Sequence, residues 1–237
     1  MTAKPPSRRH LLCAALATLA LPARAQSNKI LKIVVPFATG GANDVFARQI
    51  AKLLSDIRSQ PVVVENKPGA GGNVGTELVV RSVADGTTLL LGHTGTVSIN
   101  PALYGNLKFD TQKDLLPVAM FASSALVLVV PASLPAKTIE ELLALAAAKP
   151  GGFNYGSSGN GTGSHLSGEL LAFKTGVKLT HVPYKGTAPA LTDLVAGKCN
   201  SCSASTPRPW PSSRAAACAP LPSPAASGWP ACPRCPR

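Results

Sequence analysis

Four short segments of this chain combine residue types suited to holding a small ion. The first is Thr39, Gly40, Gly41, Ala42 and Asn43, and the second is His93, Thr94, Gly95 and Thr96. The third runs Ser157, Ser158, Gly159, Asn160, Gly161, Thr162, Gly163 and Ser164, and the fourth is Tyr184, Lys185, Gly186 and Thr187. Glycine lets a backbone approach a ligand closely, while hydroxyls and amides add donors without a fixed charge. Where such a segment opens a helix, unpaired N–H groups and the positive end of the helix dipole favour an anion. One loop of this kind is ordinarily a turn with a cap. Four in one chain point to a binding surface, and a carboxylate is the anion it suits best. His165 falls in the first turn of the third helix, placed for a hydrogen bond to a ligand or a neighbour. Lys185 could pair a carboxylate, although a lone lysine is ordinarily a solvated surface charge.

Other chemistries lack their residues. No phosphate-loop pattern G-x-x-x-x-G-K-[ST] and no G-x-S-x-G elbow occurs. Gly69-Ala70-Gly71-Gly72-Asn73-Val74-Gly75 is one residue away from the dinucleotide fingerprint and follows Pro68 rather than a clean strand end. His93, His165 and His181 are not at metal spacing, and no carboxylate pair stands out. No catalytic residue, cofactor or metal site is therefore expected. The Ser/His-rich segment 157–165 keeps a hydrolase or transferase open as the enzymatic alternative. Cys199-x-x-Cys202 and Cys232-x-x-Cys235 have zinc-ligand spacing, but 29 residues separate the pairs and nothing between them would fold a hairpin. In an oxidising compartment such thiols would form disulfides before they held zinc.

The elements that must present the four loops alternate along residues 29–198. A buried strand over 29–36 leads to the first loop, then a helix over 44–59 with Phe46, Ile50, Leu53, Leu54 and Ile57 on one face. A short strand follows at 61–65, a helix at about 73–82, and a strand at 88–92 before the second loop. Residues 115–122 and 125–130 read as two successive strands flanking Ser123-Ser124, a natural crossover between domains. Thr138 caps a helix to 149 with Ile139, Leu142, Leu143 and Ala146 on one face. A strand at 153–156 leads to the third loop, and Ser164 caps a helix burying Leu166, Leu170 and Phe173. A strand at 179–183 and a helix reaching Ala196 close the series. Strands alternating with helices predict an α/β fold with mostly parallel sheets. In such sheets the strand-to-helix loops gather at the carboxyl ends of the strands, where ligands bind.

The two ends differ from this middle. The chain of 237 residues has a formal net charge of +12, yet residues 29–198 hold fifteen basic and eleven acidic groups. The remaining charge lies in the ends, so a basic nucleic-acid-binding face is not supported. Residues 1–25 read as an export signal: Lys4, Arg8 and Arg9, an apolar stretch over 11–21, then Ala23-Arg24-Ala25 ahead of a cut before Gln26. Ser7-Arg8-Arg9-His10-Leu11-Leu12 also matches a twin-arginine signal weakly. Export to the periplasm is expected. Residues 199–237 contain nine Pro, eight Ala, seven Ser and five Cys, with no Asp, Glu, Lys, Ile or Val. That composition predicts a disordered tail without a packed core, the product of out-of-frame translation.

The middle also resembles a known family. Its carriers are Val35-Pro36-Phe37-Ala38-Thr39-Gly40-Gly41, Val63-Val64-Glu65-Asn66-Lys67-Pro68-Gly69-Ala70-Gly71-Gly72-Asn73, Asp85-Gly86-Thr87-Thr88-Leu89-Leu90, Ile99-Asn100-Pro101-Ala102-Leu103-Tyr104, Tyr155-Gly156-Ser157-Ser158-Gly159-Asn160-Gly161-Thr162 and His181-Val182-Pro183-Tyr184-Lys185-Gly186. In this order they resemble the substrate-binding receptors of tripartite tricarboxylate transporters, the Bug receptors. The resemblance implies a two-domain, periplasmic-binding-protein-like (type II, Venus flytrap) fold without enzymatic activity or cofactor. It implies a monomer that holds a small organic carboxylate between its lobes, partly through ordered waters, and delivers it to two membrane subunits. The lobes would be residues 26–124 and 125–198, with the C-terminal third of the family fold missing. Carried over by motif, the first-lobe contacts are Phe37, Thr39, Gly40, Gly41, Asn43, Thr94, Gly95 and Thr96. The second-lobe contacts are Ser157, Ser158, Asn160, Gly161, Thr162, His165 and Tyr184. A truncated product without function is the non-enzymatic alternative.

Overall fold

The computed structural model describes residues 29–205 and 218–220. The expected export signal over 1–25 and the pair Cys232 and Cys235 lie outside the described residues. The first sheet is built on β1 (Leu31–Val35), which lies between β2 (Val62–Asn66) and β3 (Thr88–Leu90) and is parallel to both. A central parallel strand is covered on both faces, which is why Leu31-Lys32-Ile33-Val34-Val35 is apolar almost without alternation. Lys32 is the exception, and its ammonium meets Glu65 of β2 at 2.8 Å.

Helix α1 (Ala42–Arg58) packs on this sheet through Ala47 and Ala51, which meet Ile33, Val35, Phe37 and Leu91, with Ile50 and Leu54 at the margin. The expected apolar face was placed too far round the helix. Leu53 and Ile57 are 61% and 79% exposed, because two alanines let the helix axis approach the sheet more closely than a leucine face would. A turn at Ala70–Gly72 opens α2 (Asn73–Val80). After β3 a wide helical turn at Gly95–Ile99 runs into α3 (Asn100–Leu103).

The second sheet has five strands. They are β4 (Leu126–Pro131), β5 (Asn154–Ser157), β6 (Thr180–Pro183), β7 (Ser201–Ser205) and β8 (Cys218–Pro220), in the order β6-β5-β7-β4-β8. β5 is parallel to β6 and β7, whereas β4 runs antiparallel to β7 and β8, so this sheet is mixed rather than mostly parallel. Helix α4 (Ile139–Ala148) covers one face through Leu142 and Ala146, which meet Val130 and Phe153. It starts as expected at Thr138, whose hydroxyl accepts from Glu141 N–H while the Glu141 carboxylate accepts from Thr138 N–H. Helix α5 (Gly163–Thr175) follows β5, and α6 (Thr187–Val195) covers the other face through Ala190 and Leu194.

Three expectations fail here. Residues 115–122 form no strand, and Leu116, Val118 and Met120 are 88%, 78% and 89% exposed. Pro117 removes a ladder donor, and among the described residues no strand runs alongside. Helix α5 begins after Thr162 rather than Ser164, and Leu166, Leu170 and Phe173 face out, with Phe173 82% exposed. Its inward positions are Ser164 and Gly168, small enough to seat the helix on Tyr155. The segment after Lys198 was expected to have no packed core. Instead Ser201–Ser205 takes the middle of the second sheet, and Cys199, Cys202 and Ala204 are buried against Val129, Ala190 and Leu194. Small side chains alternate there in the strand period, and neighbouring strands supply the bulk that composition alone did not reveal.

Candidate functional site

Loops leaving the two sheets meet around a cavity of about 180 Å³. From the first sheet come Pro36, Phe37, residues 69–72 and Tyr104; from the second come Ser158, Gly159, Asn160, Pro183, Tyr184 and Lys185. The volume is below that of pockets for drug-sized molecules, so the space suits a small metabolite. The loops touch directly: Ala38 N–H donates to Lys185 C=O at 2.9 Å, and Tyr104 Oη donates to Asn160 C=O at 3.4 Å. Gly71, at φ 62°, lies against Asn160 so closely that a Cβ there would overlap the Asn160 carbonyl oxygen. Lys185 is the one charged residue in the lining, and it makes no salt bridge among the described residues. A cavity with one unpaired cation, the N-cap Gly72 of α2 and no lining carboxylate favours an anion.

Asp44 ties down the first loop. Its carboxylate accepts from Gly40 N–H at 3.0 Å, from Arg48 Nε at 3.0 Å and from Asn66 Nδ2 at 3.0 Å, while Asn66 also donates to Phe37 C=O at 3.1 Å. Burial alone would raise this carboxyl, but the bonds from Arg48, Gly40 and Asn66 outweigh it and hold Asp44 below the usual range. Phe37 is buried edge-on against the His93 ring, with centroids 5.4 Å apart. Burial in turn keeps the His93 imidazole below its ordinary value.

The third loop closes on itself. Ser157 Oγ accepts from Gly159 N–H at 3.1 Å and lies 2.6 Å from His181 Nε2. Thr162 Oγ1 donates to Gly159 C=O at 2.6 Å, and Ser164 Oγ accepts from Ser158 N–H at 3.0 Å. His165 Nδ1 accepts from Gly161 N–H at 3.2 Å. The Ser157–His181 contact has the spacing of a nucleophile and its base. However, Ser157 is fully buried and does not line the cavity, so no substrate atom can stand beside its hydroxyl in this arrangement. Tyr184 on the fourth loop donates to Asp193 at 2.9 Å and lies 3.2 Å from Cys199 Sγ; burial and these partners push its phenol above the usual range.

Of the residues expected from sequence, Phe37, Ser158, Asn160 and Tyr184 line the cavity. Thr39, Gly40, Gly41, Asn43, Thr94, Gly95, Ser157, Gly161, Thr162 and His165 are not part of its lining. Thr96 is fully buried, and its hydroxyl donates to His93 C=O at 2.9 Å, which makes it a brace of the second loop. Sequence reasoning missed residues 69–72 and Tyr104 as lining, and Asp44 and Asn66 as supports. Consecutive glycines after Asn66 were a usable signal, but they were weighed only against the dinucleotide pattern. Among the described residues no three or more His, Cys, Asp and Glu side chains are grouped to hold a metal ion. No described helix is long and apolar enough to cross a membrane.

Residues 46–218 match the model of the tripartite tricarboxylate transporter family receptor. The chain belongs to this receptor family. It is 40% identical over 196 residues to the UPF0065 protein in the tcbD-tcbE intergenic region of Pseudomonas sp. strain P51, covering 81% of this chain and 58% of that protein. It is 38% identical over 168 residues to Protein BugT of Bordetella pertussis, covering 70% of this chain and 52% of that one. Among solved structures it superposes on R. palustris Rpa4515 with adipate at a TM-score of 0.77 and 36% identity, covering 81% of this chain and 64% of that chain. For MatC from Rhodopseudomonas palustris with bound malate the TM-score is 0.70 at 34% identity, with 74% and 60% covered. The periplasmic-binding-protein fold class expected from sequence is thus the observed one. The chain spans between half and three fifths of the length of these two curated relatives.

Proposed function

We propose that this chain is a periplasmic solute receptor that captures a small organic carboxylate between the loops of its two sheets. The observation carrying this reading is the cavity itself: glycine, serine and asparagine loops at strand carboxyl ends, with Lys185 as the single charge in the lining. Two solved family relatives carry adipate and malate in their names, both dicarboxylates. In this reading residues 1–25 export the chain, the first lobe is built on residues 26–124, and the second begins at residue 125 and includes β7 and β8. Ser158, Asn160, Tyr184 and Phe37 face the ligand, while the other expected loop residues hold the loops in shape through bonds such as Gly40 N–H to Asp44 and Gly161 N–H to His165. The loaded receptor would hand its cargo to the membrane subunits of a tripartite transporter.

The test is calorimetric titration of the exported, processed chain with malate, adipate and a set of other small mono-, di- and tricarboxylates, alongside their amides. Binding of at least one acid, loss of that binding in the amide, and a clear weakening in Lys185→Ala are expected. If no acid binds although the chain melts cooperatively, the receptor reading is wrong and an inert product is the better description. Turnover of an ester by the wild-type chain, lost in Ser157→Ala, would favour the Ser157–His181 pair as a hydrolase instead.

A further inference from the structure

Behind the third loop lies a cluster of titratable rings that the cavity does not use directly. His165 on α5 and His181 on β6 stack with centroids 4.1 Å apart, and Tyr155 on β5 stacks on the other side of His181 at 4.9 Å. Each imidazole holds a different point of the loop. His165 Nδ1 accepts from Gly161 N–H at 3.2 Å, and a nitrogen that accepts carries no proton. The His165 proton therefore sits on Nε2, on the side of Glu169 Oε1 at 3.9 Å. His181 Nε2 lies 2.6 Å from Ser157 Oγ, which already accepts from Gly159 N–H. Ser157 Oγ keeps its own proton and a second lone pair, so it can meet Nε2 as donor or as acceptor.

We propose that His165 is a positioning residue of loop 157–162, holding it through a hydrogen bond that only its neutral imidazole can make, with His181 as its stacked partner. This builds on the receptor reading, since residues 158–160 line the cavity. A proton on His165 Nδ1 would face the Gly161 N–H head-on. His181 Nε2 can keep its contact with Ser157 Oγ in either protonation state, because the hydroxyl can donate to it or accept from it. The titratable groups facing the pair are Glu169 from α5 and Tyr155 from β5, which are joined to each other by a 2.6 Å hydrogen bond. Burial, and then the neighbouring His165, lower His181 to about 4, against a smaller raising effect of Glu169. Two imidazoliums in stacking contact would repel, so protonation of one ring opposes protonation of the other.

The experiment follows amide hydrogen exchange of the full chain by nuclear magnetic resonance between pH 7 and pH 4.5, without ligand. The Gly161 amide is expected to lose protection about tenfold on acidification, while the β1 amides keep theirs. His165→Asn places a non-titrating oxygen where Nδ1 stood. This variant should keep Gly161 protected and flatten its pH profile, whereas His165→Ala should strip Gly161 at every pH. Wild-type loop protection that does not change with pH overturns the proposal, as does a wild-type profile retained in His165→Asn. Titration of the same samples with the carboxylate set separates the two claims. If the amides respond as described but no acid of the set binds, the positioning role stands and the receptor reading falls.

Discussion

Replacing Gly168 with alanine tests the packing of α5 on the second sheet. A Cβ at this position would stand 2.5 Å from Tyr155 Cζ and 2.7 Å from Cδ2, and closer still to Cε2. Ordinary contact begins near 3.4 Å, so the ring or the helix must retreat by about 1 Å. The ring has nowhere easy to go. Tyr155 is 2% exposed, donates to Glu169 at 2.6 Å, and is stacked on His181. Overpacking of this kind costs about 1–3 kcal/mol, and losing a hydrogen bond to a carboxylate adds about 1.5–3 kcal/mol. Alanine in a helix interior returns about 1 kcal/mol over glycine. The balance is a loss of about 1.5–5 kcal/mol, or a melting temperature lower by about 3–20 °C at this chain length. Thermal unfolding followed by circular dichroism reads it, with Gly105→Ala as the control because no atom lies within 4 Å of a Cβ there. A Gly168→Ala protein that melts with wild type, or above it, would refute the contact and the seating of α5.

Further outcomes follow from the same geometry. The unfolded chain binds a proton on His181 that the folded chain refuses, since burial and His165 lower this group to about 4. Its contribution is therefore complete above about pH 6.5 and is lost as pH falls from there toward 4; urea midpoints at pH 7 and pH 4.5 measure it. Buried His93 acts in the same direction. Asp44 lies below its usual range, so its contribution holds above the unfolded carboxyl value and is lost only in stronger acid. Asp44→Ala should lower stability by about 2–3 kcal/mol with an unchanged denaturant slope, because Gly40 N–H, Arg48 and Asn66 lose their shared acceptor. Thr138→Ala removes one half of the α4 capping box and should lower the midpoint by the equivalent of about 1 kcal/mol.

The order of strands and helices was legible in the sequence because each obeys a local rule. The apolar run of β1, the capping box of α4 and the glycine–hydroxyl loops at strand ends depend on residues a few positions apart. The motifs carrying the family resemblance lie in the same segments, and every residue lining the cavity falls within one of them, although only Phe37, Ser158, Asn160 and Tyr184 were expected as ligand contacts. Which face of α1 or α5 turns inward was not legible. Alanine and glycine decided it by allowing closer approach, against the larger Leu53, Ile57, Leu166 and Phe173. Composition after Lys198 read as a tail, yet Cys199 and Cys202 are buried, because a central strand needs only the right period and neighbours to cover it.

The sequence alone thus determined the α/β class and the positions of the loops, both of which rest on propensity and short-range spacing. Tertiary structure decided what those loops meet. It set Gly71 against Asn160, and Asp44 with Asn66 behind Phe37. It stacked His165 on His181 and left Lys185 unpaired in the lining of the cavity. Each of these contacts joins residues far apart in the chain, and no local pattern encodes a distance that only packing establishes.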